Sequence, residues 1–126
     1  MPQVRDMMIT DVVTTTSSAG IVDAANTMIQ QEKGPLPVVD GDRVMGMITD
    51  RDIIARVVAA AKDPGTMAVS DVMTTDLFTI SPDAEESEAR QRMAQAQVDR
   101  LLVMEGDRLV GIISEADIRR DEGPLA

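Results

Sequence analysis

The chain contains no cysteine, no histidine, no tryptophan and no tyrosine, and Phe78 is its one aromatic residue. Without cysteine and histidine there is no thiol nucleophile, no Ser-His-Asp triad and no soft-ligand zinc site. Carboxylate or lysine chemistry remains open, but Lys33 and Lys62 are the only lysines and neither belongs to the repeated motif described below. The composition therefore argues against an enzyme. Positive charge is also scarce: 12 basic against 22 acidic residues give a net charge of −10. That balance opposes the counterion release that drives most nucleic-acid binding, and one Phe is too few for the stacking platforms of single-strand recognition. No apolar run approaches the roughly 20 residues needed to cross a bilayer. The opening MPQVRDMM lacks the apolar centre of an export signal. The expectations are a cytoplasmic protein with no nucleic-acid and no membrane partner.

What the chain does have is an internal repeat. Residues 6–53 overlay residues 71–118 at a constant offset of 65 without a gap. Identities include Asp6 with Asp71, Met8 with Met73, Thr14 with Thr79, Met28 with Met93, Val38 with Val103, Gly46 with Gly111 and Asp52 with Asp117. A repeat this regular is one supersecondary unit used twice. The 126 residues suffice for one compact core, whereas each half is near the lower limit for folding alone. The expected organisation is repeat 1 with its linker at 1–65 and repeat 2 at 66–126, packed together as one compact pair. The halves carry 6 basic and 9 acidic residues, and 6 basic and 13 acidic residues, respectively.

Each half reads as helix, strand, helix, strand, strand, helix. Short leading segments, Val4–Met8 and Val69–Met73, precede β-rich runs at 12–15 and 77–80. Thr16 and Ser81 are placed to cap the next helix, with Pro82 at its first position and Asp83, Glu85 and Glu86 complementing its dipole. Ile21, Ala24, Ala25, Met28 and Ile29 share one helical face, repeated more thinly by Ala89, Met93 and Ala96. Apolar runs on either side of Asp40-Gly41-Asp42 and Glu105-Gly106-Asp107 predict two hairpins. The last helix of each half starts after Thr49 or Ser114; its first copy is amphipathic through Ile53, Ile54, Val57 and Val58, and its second weakens at 121–124. Residues 61–70 read as a linker. Alternating strands and helices in a repeated unit indicate an α/β fold.

The best-matched element is strand, Gly-x-x-Thr/Ser-x-x-Asp, helix: GMITDRDI at 46–53 and GIISEADI at 111–118. Gly46 and Gly111 permit close approach by a backbone or a ligand. Thr49 and Ser114 put a hydroxyl at a helix start, where free amides favour an anion. Asp52 and Asp117, one turn on, can accept two hydrogen bonds from a vicinal diol such as ribose. The same spacing also makes a capping box, with the hydroxyl bonding the third amide and the acid reaching back. Both readings fit these residues.

With LPVVDGDRVMGMITDRDI in one half and LLVMEGDRLVGIISEADI in the other, the chain from Val4 to Arg119 resembles a tandem pair of CBS domains, the cystathionine β-synthase type. The resemblance implies two β-α-β-β-α repeats packed with pseudo-twofold symmetry, and further association into a homodimer through helices. It also implies an adenosine-containing ligand (AMP, ADP or ATP foremost, also S-adenosylmethionine or NAD) in clefts between the repeats, as a regulatory ligand and not a required cofactor. Carried over by position, Asp52 and Asp117 hold ribose hydroxyls while Thr49 and Ser114 lie near ribose or phosphate. Leu36, Pro37, Leu101 and Leu102 flank adenine, whose edge is read by their backbone groups with those of Thr14 and Thr79. Arg100 and Arg51 are the phosphate candidates. Pro35 stands where repeat 2 has Arg100, so the first site lacks that cation. The resulting expectation is a regulatory sensor acting in trans on an unidentified protein partner; the competing one is a ligand-free dimeric interaction module.

Overall fold

The computed structural model describes residues 2–121. They divide into two compact units, one formed by Val13–Leu77 and the other by Met1–Val12 together with Phe78–Ala126. The units are thus not the contiguous halves of the chain: each repeat's leading segment is built into the unit that holds the other repeat's hairpin.

In the unit Val13–Leu77, α2 (Ile21–Gln31) precedes the hairpin β1 (Pro35–Asp40) and β2 (Arg43–Thr49). The strands pair antiparallel with Leu36 opposite Ile48 and Val38 opposite Gly46. The two-residue loop begins with Gly41 at φ +63°, a left-handed conformation that glycine adopts without steric cost. Helix α3 (Asp50–Ile53) continues into a π-helical turn, Ile54–Val58. Two short 3₁₀ turns follow, Pro64–Thr66 and Val69–Asp71. Thr15 adds a parallel bridge to Val38, and Thr74 an antiparallel one to Met47. Ile21, Ala24, Met28, Leu36, Val38, Ile48, Val57, Val69 and Val72 form the core.

The other unit repeats this plan. Helix α1 (Val4–Met7) supplies Val4 and Met7 to a core shared with β3 (Thr79–Ile80), α4 (Glu86–Ala96), β4 (Arg100–Glu105), β5 (Arg108–Ser114) and α5 (Glu115–Asp121). The sheet order is β3-β4-β5, parallel between β3 and β4 and antiparallel between β4 and β5. Ile9 bridges Ile112 as Thr74 bridges Met47. The α/β repeat architecture is as the sequence implies.

Several local expectations need correction. The β-rich run at 12–15 is only the bridge at Thr15, and that at 77–80 is only two residues long. The asymmetry has a cause: the Leu102 amide donates to the Phe78 carbonyl at 2.9 Å, whereas Pro37, at the equivalent position, has no amide to donate. The helices after these runs begin at Ile21 and Glu86, with Gly20 and Glu85 as N-caps. Ser81 instead closes a turn, its Oγ accepting from the Asp83 amide at 3.1 Å. The latter part of the expected linker is structural, since Val69 is fully buried. On the apolar face of α2, Ile29 points outward at 75% exposure. Residues 122–124 of the expected weak end of α5 lie outside the described residues.

Candidate functional site

Each unit assembles the repeated motif at the end of its hairpin, where the strand register decides which residues are neighbours. Pro35 lies opposite Thr49 and Pro37 opposite Met47 in one unit. In the other, Arg100 lies opposite Ser114, Leu102 opposite Ile112, and Thr79 beside Leu102. The sheet therefore brings the candidate hydroxyls alongside positions 35 and 100, and a cation stands beside Ser114 alone.

At both helix starts the hydroxyl and carboxylate cap each other's backbone. The Thr49 amide donates to Asp52 Oδ2 at 2.9 Å and the Asp52 amide donates to Thr49 Oγ1 at 3.1 Å. The Ser114 amide donates to Asp117 Oδ2 at 2.9 Å and the Asp117 amide to Ser114 Oγ at 3.2 Å. Asp117 is buried, 6% exposed, while Asp52 is half-buried. The capping geometry is thus present in both copies; it satisfies two otherwise unpaired amides and fixes each carboxylate at the strand-to-helix corner.

The remaining candidates separate by role. Leu36 and Leu101 point into the two cores, so only their backbone groups are available to a ligand. Pro37 and Leu102 are buried as well. Thr14 is exposed and Thr79 half-buried. Gly46 and Gly111 are required by the protein's own backbone. A Cβ on Gly46 would sit 2.5 Å from the Thr74 carbonyl oxygen, and one on Gly111 would sit 2.9 Å from that of Ile9. Arg51 is exposed, its amide donating to the Asp50 carboxylate at 2.9 Å. Arg100 is largely covered and pairs with Asp99, Nε lying 3.2 Å from Oδ1.

Two arginines outside the motif also shape these corners. Arg92 donates to the Thr79 carbonyl at 2.7 Å, one of the backbone groups that the resemblance assigns to the edge of adenine; the equivalent residue in repeat 1 is Thr27. Arg56 donates to the carbonyls of Val72 and Met73 at 2.7 and 3.3 Å and so ties the π turn to the leading segment of repeat 2. The sequence signals only an i,i+4 charge pair for Arg92, the one made with Glu88, and none for Arg56. No described helix is long and apolar enough to cross a membrane.

A hairpin flanked by two helices, built twice with the same hydroxyl–carboxylate corner, defines a paired α/β module. The CBS domain family model matches residues 4–59 and 69–122, and the chain belongs to the CBS domain family. Over 118 residues it is 40% identical to the CBS domain-containing protein YhcV of Bacillus subtilis, covering 94% of this chain and 84% of that protein. Hypoxic response protein 1 of Mycobacterium tuberculosis is 36% identical over 121 residues, covering 95% and 85% of the respective chains. Among solved structures, the CBS domain pair of protein MJ0100 in complex with 5′-methylthioadenosine and S-adenosyl-L-methionine superposes with a TM-score of 0.86 at 27% identity, covering 98% of this chain and 97% of that one.

Proposed function

We propose that this protein is a regulatory sensor that binds an adenosine-containing ligand and acts in trans on a protein partner, as a cytoplasmic homodimer. The observation that carries this reading is the similar CBS pair of MJ0100, which is in complex with two adenosyl compounds. In this chain each unit holds a carboxylate and a hydroxyl at a helix start, the arrangement suited to a ribose diol. Asp52 and Asp117 take the ribose, Thr49 and Ser114 lie beside it, and backbone groups near Pro37 and Leu102 meet the base. AMP, ADP and ATP are the first ligands to consider, with S-adenosylmethionine and NAD as further members of the class. Arg100, beside Ser114, is the phosphate partner of the second site. Pro35 leaves the first site without that cation, so it favours an uncharged adenosyl group or a monophosphate over a polyphosphate. A ligand regulates only through different affinities for two states of the protein.

The capping geometry favours a second reading, a ligand-free interaction module in which both motifs are only helix caps. Calorimetric titration of nucleotide-free protein with the five compounds separates the two. Saturable binding of one compound, weakened at least tenfold by Asp52→Ala or Asp117→Ala, supports the sensor. Silence across the panel, together with a loss of about 0.5–2 kcal/mol in apo stability for either variant, supports the cap.

A further inference from the structure

The two hydroxyl–carboxylate corners are alike, but the residues set against the base end of each are not. In the unit with repeat 2, Arg92 reaches from α4 and donates through Nη1 to the Thr79 carbonyl at 2.7 Å. Its Nη2 lies 3.0 Å from Glu88 Oε2, one turn back on the same helix, and the side chain is 48% exposed. A carbonyl and a carboxylate thus hold the guanidinium in one orientation, and its other N–H groups remain for a ligand. Repeat 1 has Thr27 at this position. The Thr27 hydroxyl donates to the Asp23 carbonyl of its own helix at 3.0 Å. Where repeat 2 sets a cation, repeat 1 sets a hydroxyl turned onto its own backbone.

The sheet puts this guanidinium at one end of a span that a nucleoside can bridge. Thr79 lies beside Leu102, and Leu102 opposite Ile112, two residues along β5 from Ser114. With strands about 4.8 Å apart and a rise of about 3.3 Å per residue, Thr79 is roughly 12 Å from Ser114. A ribose held at Asp117 therefore brings its base edge toward Thr79 and Arg92. Phe78, the residue before Thr79, is 41% exposed, and an aromatic face stacks on any base. Its counterpart Val13 packs against the core of the other unit.

We propose that the repeat 2 corner selects a 6-oxopurine nucleotide, with Arg92 as the residue that reads the base, while the repeat 1 corner takes the 6-aminopurine. This rests on the reading of both corners as nucleotide sites and assigns each its base. Adenine presents an N6 amino donor where guanine and hypoxanthine present the O6 acceptor, with N7 as a second acceptor beside it. An arginine fork on O6 and N7 is the commonest specific contact to guanine. At Thr79 the carbonyl is already engaged by Arg92, and donors stand where the base edge arrives. Adenine's amino group would have to compete with a charge-assisted hydrogen bond for that carbonyl, whereas O6 gains one from the guanidinium. At Thr14 the position of Arg92 belongs to Thr27, and an adenine amino group meets no such competitor.

The test is calorimetric titration of nucleotide-free wild type, Asp52→Ala, Asp117→Ala and Arg92→Thr with guanosine, inosine and adenosine monophosphates. The two 6-oxopurines are expected to bind the wild type at one site per chain, weakened by Asp117→Ala and unchanged by Asp52→Ala. Arg92→Thr, which installs the residue of repeat 1, should weaken them about tenfold, the discrimination that one bidentate contact supplies, and strengthen adenosine monophosphate at the same site. Arg92→Lys keeps the charge without the fork and should also lose the 6-oxopurine preference. Three results overturn the proposal: no binding of either 6-oxopurine, binding that follows Asp52 instead of Asp117, or an Arg92→Thr variant whose ratio of guanosine to adenosine monophosphate affinity is unchanged, as a merely structural role would leave it. Adenosine monophosphate binding weakened by Asp52→Ala, with the 6-oxopurines silent, keeps the sensor reading and removes this one. Silence for all three compounds removes both.

Discussion

Gly46 and Gly111 show what a single residue type can and cannot reveal. Their place before the Thr/Ser-x-x-Asp motif reads as close approach by something, backbone or ligand, and the structure supplies the backbone. The two positions differ in what they would strike. A Cβ at Gly46 meets the Thr74 carbonyl oxygen at 2.5 Å, in the bridge that holds Thr74 to Met47; at Gly111 its nearest neighbour is Met8 Sδ at 2.7 Å, a flexible side chain, followed by the Ile9 carbonyl at 2.9 Å. Overpacking against backbone costs about 1–3 kcal/mol. Gly46→Ala is expected to fall at the upper end and Gly111→Ala lower, because methionine can turn aside. Urea denaturation of both variants checks the order; equal losses, or a larger loss at Gly111, would contradict it.

At the scale of elements, the junction before α2 carries a link that the second repeat lacks. The Ser17 amide donates to Asp40 Oδ1 at 3.0 Å, and its hydroxyl donates to the other carboxylate oxygen. These bonds, the side-chain one foremost, hold the Asp40 carboxyl below its ordinary 3.8. Because the folded value is the lower one, the stabilisation is present above the unfolded pKa and is lost as pH falls below about 3.8. Glu105 occupies the equivalent position in repeat 2, opposite Pro82 in place of Ser17. Melting temperature measured from pH 6 to pH 3 is therefore expected to fall more steeply for the wild type than for Asp40→Asn, and parallel curves would exclude the link. The sequence made some elements legible and not others for similar local reasons. The hairpins were readable because apolar runs flank a glycine turn at Gly41 and again at Gly106. The helix starts were misplaced by four residues, in the second repeat because Ser81-Pro82-Asp83 has the chemistry of both an N-terminus and a turn. In the candidate site, the Thr49–Asp52 and Ser114–Asp117 pairs were readable from spacing. The hold of Arg92 on the Thr79 carbonyl was not, since it joins residues 13 apart with no local pattern.

For the molecule as a whole, the decisive feature is where the leading segments go. Val4 and Met7 have the three-residue spacing of one helical face, which announces burial but not the partner; both enter the core of the unit containing repeat 2. The Val4 amide donates to the Ala84 carbonyl at 2.8 Å, the Glu86 amide to that of Pro2 at 3.1 Å, and Ile9 and Ile112 exchange bonds of 2.8 and 3.0 Å. Arg5 pairs with Asp83 at the surface, a contact worth little in water, so burial holds the segment. Loss of two buried apolar side chains, each about 1.5–3 kcal/mol, together with these hydrogen bonds, is comparable to the whole stability of a small domain. Deleting residues 1–9 should therefore unfold the neighbourhood of repeat 2 while sparing that of repeat 1, although the deletion lies next to repeat 1 in sequence. Amide hydrogen exchange tests this directly. The Ile112, Leu102 and Glu86 amides should lose protection, while Met47 and Thr74, whose mutual bonds of 2.9 and 2.8 Å use the second leading segment, should keep theirs. Loss at Met47 and Thr74 with retention at Ile112 would mean that each leading segment belongs to its own repeat.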